Sequence, residues 1–145
     1  MKNSQFLCGV YQNTSTALQS INDLYSKVKS ANLKKLLKKH EAGYSDFRCQ
    51  CEKLSHELEI ELKDNNFFEK AKLWTSINIG TITDTTSRHL GEMMIIGTVM
   101  GIVNCYKLMS EYKACNEKIY DICASLAELE EKFYEELRQY LKAFA

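Results

Sequence analysis

Apolar positions recur at alternating steps of three and four along most of the chain. From about Asn3 to Val28 the seam reads Leu7, Val10, Thr14, Ala17, Ile21, Leu24 and Val28. Residues so spaced share one face of an α-helix, and a sustained seam predicts left-handed packing against other helices. Ser30-Ala31-Asn32 interrupts the pattern, with Asn32 a candidate N-cap. A second seam predicts helix from about Leu33 to Leu62: Leu33, Leu37, His40, Tyr44, Phe47, Cys51, Leu54 and Leu58. The join is only a few residues long, so these two helices are expected side by side and antiparallel.

Asp64-Asn65-Asn66 is the next breaker. Phe67, Phe68, Ala71, Trp74 and Ile77 then keep helical spacing and predict a short helix over about 67–80. Gly80 and the polar stretch from Thr81 to Ser87 end it, and Thr85, Thr86 or Ser87 can cap the next helix. That helix is expected from about Ser87 to Lys113. The last runs from about Asn116, its candidate cap, to Lys142, and buries Ile119, Ile122, Cys123, Leu126, Leu129, Phe133, Leu137 and Tyr140. One unbroken helix from Asn66 to Lys113 would reach roughly 70 Å beside partners of about 40 Å. Its free apolar surface argues for the break. The expectation is an all-α four-helix bundle: two antiparallel hairpins joined by a long crossover containing a short helix.

Composition agrees with one globular domain spanning 1–145. Hydrophobic residues make up 45% and charged residues 26%, and there is no proline to interrupt long helices. Lys plus Arg equals Asp plus Glu at 19 each, a balance with no general pull toward nucleic acid. The N-terminal residues lack an apolar signal core. The longest nearly apolar run, Met93 to Val103, would rise roughly 16 Å as helix, about half a bilayer core, so no membrane span is expected. The six cysteines lie mostly inside helical patterns and read as reduced thiols, which fits a cytoplasmic location.

Four segments stand out: Phe67-Phe68-Glu69-Lys70-Ala71-Lys72-Leu73-Trp74, the polar Thr83-Asp84-Thr85-Thr86, His89 through Gly101, and Leu126-Ala127-Glu128-Leu129-Glu130-Glu131. With them the chain resembles small bacterial ferritin-like bundle proteins of unassigned function. Specific likeness covers about 67–135. The resemblance implies a ferritin-like fold and brings no known activity with it.

A di-iron site on such a fold needs a glutamate from each of two helices and Glu-x-x-His from the other two. This chain has no Glu-x-x-His: Leu37, Lys53 and Thr86 stand three residues before His40, His56 and His89. A weaker metal reading uses His89 and Glu92, three apart on a candidate core seam with Ile96, Val99 and Val103, together with His40 and Glu41. Such a His/carboxylate set would suit iron, manganese or zinc. The plainer reading has both histidines hydrogen-bonded or near bundle ends. Cys49 and Cys51 point about 200° apart on a helix and cannot grip one ion. There is no phosphate-binding glycine loop, Rossmann fingerprint or Gly-x-Ser-x-Gly elbow, so nothing local signals an enzyme.

Gly97-x-x-x-Gly101 leaves a groove on one helix face, flanked by Met93 and Met100 in a segment apolar nearly all round. A helix apolar all round must be buried all round. Either the crossover with Trp74 or a second subunit must cover the outer side, and a homodimer through this helix is the expectation. The methionines also suit a hydrophobic ligand, a lipid or a partner helix, though core packing is the plainer use. The second helix begins with Lys34, Lys35, Lys38 and Lys39 and ends with Glu57, Glu59, Glu61 and Asp64, against the helix dipole. That reversal suggests pairing with another helix, for which the Glu-rich last helix is the candidate. The preferred reading is a non-catalytic scaffold or interaction module. A non-standard metal-binding protein and a binder of hydrophobic ligands are the alternatives.

Overall fold

The structure, a computed structural model, describes residues 2–63 and 83–144. Among them are four helices and no strand: α1 (Lys2–Tyr25), α2 (Ala31–Glu57), α3 (Ser87–Glu111) and α4 (Glu117–Lys142). The short helix expected over 67–80, with Trp74, lies outside the described residues.

Local chemistry sets each boundary. Ser30, not Asn32, caps α2, its hydroxyl accepting from Leu33 N–H. Thr86 caps α3 by accepting from His89 N–H, and Asp84 in turn accepts from Thr86 N–H. Asn116 caps α4 through the N–H groups of Lys118 and Ile119, and its own N–H donates to Asn3 of α1. The first helix stops at Tyr25, three residues short of Val28, where Lys27 and Val28 N–H bond back to Leu24 and Tyr25. The second ends at Glu57 and not Leu62. Ile60 N–H reaches back to Ser55 and Glu59 N–H to His56, with Glu59 at φ 53°, the pattern of a Schellman stop.

Contacts fix the direction of every helix. Lys38 lies over the Tyr25 ring and Arg48 over Tyr11, so α1 and α2 are antiparallel. Phe6 stacks on Tyr112 while Asn13 meets Gly101 and Cys105, so α1 and α3 are antiparallel. The helices α2 and α4 oppose each other through Lys39–Glu136 at one end and Glu57–Lys118 at the other. The reversed charge pattern of α2 therefore meets its complement on α4. Each of α1 and α4 packs beside both α2 and α3, leaving α2 and α3 on the diagonal. The diagonal pair runs in the same direction. The end of α2 and the start of α3 thus lie at opposite ends of the bundle.

Three seams face the core as expected. Leu7, Val10, Ile21, Leu24, Leu33, Leu37, Leu54, Ile119, Leu126, Phe133 and Leu137 are all buried. Full burial of such a side chain contributes about 2–3 kcal/mol. The seam of α3 differs. Ile96, Val99 and Val103, expected inside with His89 and Glu92, face outward, while Leu90, Gly91, Met94, Thr98, Gly101, Cys105 and Leu108 face inward. The physical reason is size. A helix apolar on nearly every side has no strong periodic preference, and its stripe of small residues lets the large side chains of α4 approach. Leu141 and Tyr140 lie against Gly91, and the Glu130 carboxylate lies against Gly101.

Candidate functional site

At mid-bundle all four helices converge on one carboxyl group. Glu130 is 1% exposed on the core face of α4, between Leu126, Ala127 and Phe133. Asn13 of α1 donates to its Oε1 at 3.0 Å, and Tyr44 of α2 donates to its Oε2 at 2.9 Å. The Cys105 thiol of α3 donates to Oε1 at 3.4 Å. Gly101, one turn before Cys105, makes room: a Cβ there would overlap the carboxylate.

Burial pushes the Glu130 carboxyl up to about 7, against the pull of its three donors, which favour the charged form. Burial and the adjacent Glu130 carboxylate hold the Tyr44 hydroxyl well above its ordinary range. The Cys105 thiol is raised as well, chiefly by hydrogen bonding with Cys123 and by burial. A thiol so placed stays protonated and is a poor nucleophile. The cluster can exchange one proton near neutrality. Its hydrogen bonds are already made within the bundle.

One helical turn away, His40 of α2 is fully buried and stacks on Phe133 at 3.8 Å between ring centroids. Its Nε2 lies 3.4 Å from Glu136 Oε1, without hydrogen-bond geometry, and neither ring nitrogen has a partner. Burial lowers its pKa to about 4, outweighing the raising effect of Glu136, so the ring is neutral at physiological pH. Lys39 pairs with the other oxygen of Glu136.

The other members of the candidate metal set are engaged elsewhere. Glu41 pairs with Lys38 at 3.5 Å and Glu92 with Arg88 at 3.6 Å. The backbone of His89, half-buried in the first turn of α3, closes the Thr86 cap. Among the described residues no three His, Cys, Asp or Glu side chains are placed to hold one metal ion. The donors His89, Glu92, His40 and Glu41 therefore do not fit a shared iron, manganese or zinc site. Nor does the Glu130 cluster, a single carboxylate ringed by an amide, a phenol and a thiol, supply a di-iron ligand set.

The four candidate interface residues divide. Gly101 is buried against Glu130, and Met93 is half-buried. Gly97 faces open space, and Met100 is 50% exposed. With Met100, Ile96 (54%), Val99 (40%), Val103 (61%) and Tyr106 (52%) form an exposed apolar stripe along the outside of α3. By length and composition α3 alone among the described helices could cross a membrane, and 28% of its most apolar window is buried. Beside the stripe, Tyr106, Lys113, Tyr120 and Glu128 line a shallow groove of about 410 Å³ between α3 and α4.

Sequence reasoning missed the Glu130 cluster, although a signal was present. Positions 119, 123, 126, 130, 133, 137 and 140 alternate by four and three without a break, which puts Glu130 on the core seam. Asn13 adjoins the seam residue Thr14, and Tyr44 is itself a seam residue. No protein-family model, curated protein or solved structure matches this chain.

Proposed function

We propose that this protein is a non-catalytic helical scaffold or interaction module that associates with a second copy through the outer face of α3. The exposed stripe of Ile96, Val99, Met100, Val103 and Tyr106 carries the reading. Single exposed apolar residues are ordinary, but a contiguous row along one helix marks an interaction surface. The thiol chemistry supports the non-catalytic part, since Cys51 and Cys105 are both buried and held protonated. The two antiparallel hairpins suit a ferritin-like arrangement, in which a long crossover joins them. The opposite placement of the α2 end and the α3 start supports this. A cytoplasmic setting suits six unpaired cysteines.

Sedimentation of the wild-type chain and of Val103→Glu tests the proposal. The wild type is expected to sediment as a dimer, and Val103→Glu as a monomer with unchanged helical circular dichroism. Equal sedimentation of the two proteins would overturn it.

A further inference from the structure

The outer face of α3 carries more than apolar side chains. Arg88, Glu92, Ile96, Val99, Met100, Val103, Tyr106, Lys107 and Glu111 follow helical spacing along one side. Reflecting this row about the midpoint between Val99 and Met100 exchanges Val99 with Met100 and Ile96 with Val103. The same reflection exchanges Glu92 with Lys107 and Arg88 with Glu111. These four apolar residues thus map onto one another, each of the four charges maps onto its opposite, and Tyr106 falls opposite the half-buried Met93.

A two-fold axis brings each residue of one copy against its exchanged counterpart on the other. From this pattern we infer that two copies of the chain pair their α3 helices antiparallel, with the axis between Val99 and Met100. The inference rests on the self-association proposed above and adds its geometry. At each end of the pair, Arg88 and Glu92 of one copy meet Glu111 and Lys107 of the other. Within one copy these residues form only exposed ion pairs, Arg88–Glu92 at 3.6 Å and Lys107–Glu111 at 4.0 Å.

The placement of these charges also argues for a partner. The first turn of α3 holds no acidic residue and the last turn no basic one. Instead Arg88 stands near the positive end of the helix dipole and Glu111 at the negative end, each disfavoured in an isolated helix. Antiparallel pairing places Arg88 beside the negative end of the partner helix and Glu111 beside its positive end. A lipid surface or a hydrophobic ligand would not require this two-fold sign pattern.

The test is charge reversal read by sedimentation equilibrium on the full chain. Arg88→Glu and Glu111→Arg each replace two cross-copy attractions with two repulsions and are expected to weaken the dimer about tenfold. Both changes suit the helix dipole, so thermal melting of the dilute chain should report an intact fold. The double variant R88E/E111R restores the cross-copy pair and should return most of the lost affinity. Positions 88 and 111 lie about 35 Å apart along one helix, so rescue can arise only between copies.

If Val103→Glu dissociates the dimer but R88E/E111R shows no rescue, the antiparallel register is wrong and self-association through α3 stands. If neither single reversal weakens the dimer, the register is wrong as well. A wild type that is monomeric at all concentrations, including one that instead binds phosphatidylcholine–phosphatidylglycerol vesicles, overturns both proposals.

Discussion

Glu130 and His40 are two buried titratable side chains whose burial acts in opposite directions. The Glu130 pKa is raised from 4.5 to about 7. Its proton is retained more firmly in the folded state, so its contribution is full below about 4.5 and is lost as pH rises through 7. The His40 pKa is lowered from 6.5 to about 4. The unfolded chain takes up that proton first, so stability falls as pH drops from about 6.5 toward 4. Each shift amounts to about 3 kcal/mol at roughly 1.4 kcal/mol per pH unit. Across pH 4.5–6.5 the two slopes oppose, and a flat stability profile is expected. Glu130→Gln keeps the size of the side chain and removes its charge. It should raise stability at pH 8 by about 2 kcal/mol and expose the acid-side loss due to His40. Urea unfolding from pH 4 to 8 measures both, and a Gln variant with the wild-type profile would place the titration elsewhere. The two α3 glycines separate just as cleanly. Gly97→Ala meets nothing within 4 Å and should gain up to about 1 kcal/mol from helix propensity. Gly101→Ala must displace the Glu130 carboxylate and should lose about 2–4 kcal/mol in the same assay.

At the scale of elements, the chain announces its helices clearly. The seams through Leu7, Leu33 and Ile119 face the core because polar residues on their other sides leave one choice. On α3 the periodic signal fails, since Ile96 and Val103 are as apolar as Leu90 and Met94. What decides the inward face is the room at Gly91 and Gly101, which depends on side chains of α4 that no local pattern can reveal. The candidate metal set is divided in the same way: His40 is buried against Phe133, whereas Glu41 and Glu92 pair with Lys38 and Arg88 on their own helices, and only the packing tells these settings apart. The end of α2 is not legible in the sequence because its stop uses Glu59 in a left-handed conformation, where glycine is usual. A non-glycine residue held there costs about 1 kcal/mol. Glu59→Gly should therefore raise the melting temperature by a few degrees, with about 1 kcal/mol gained in urea unfolding. A lower melting temperature would show that the Glu59 side chain contributes more than its backbone strain removes.

At the scale of the whole molecule, the proposed dimer makes stability depend on concentration. The melting temperature should rise by roughly 2 °C for each tenfold increase in protein, and Val103→Glu should abolish the dependence. Scanning calorimetry over two decades of concentration measures this. A flat wild-type series would mean that association adds nothing to the folded state. Inside each copy, the partners of Glu130 divide between the two hairpins. Cys105 belongs with Glu130 to the hairpin of α3 and α4, whereas Asn13 and Tyr44 belong to the hairpin of α1 and α2. Neither hairpin alone can surround the carboxyl group, so Glu130 gives up its hydration only when the two halves meet. That assigns the ionisation to the docking step of folding. The unfolded halves carry this charge above about 4.5, so refolding should slow as pH rises from about 4.5 toward 7 and level off beyond, because the halves must then bring a charge out of water before its last two hydrogen bonds can form.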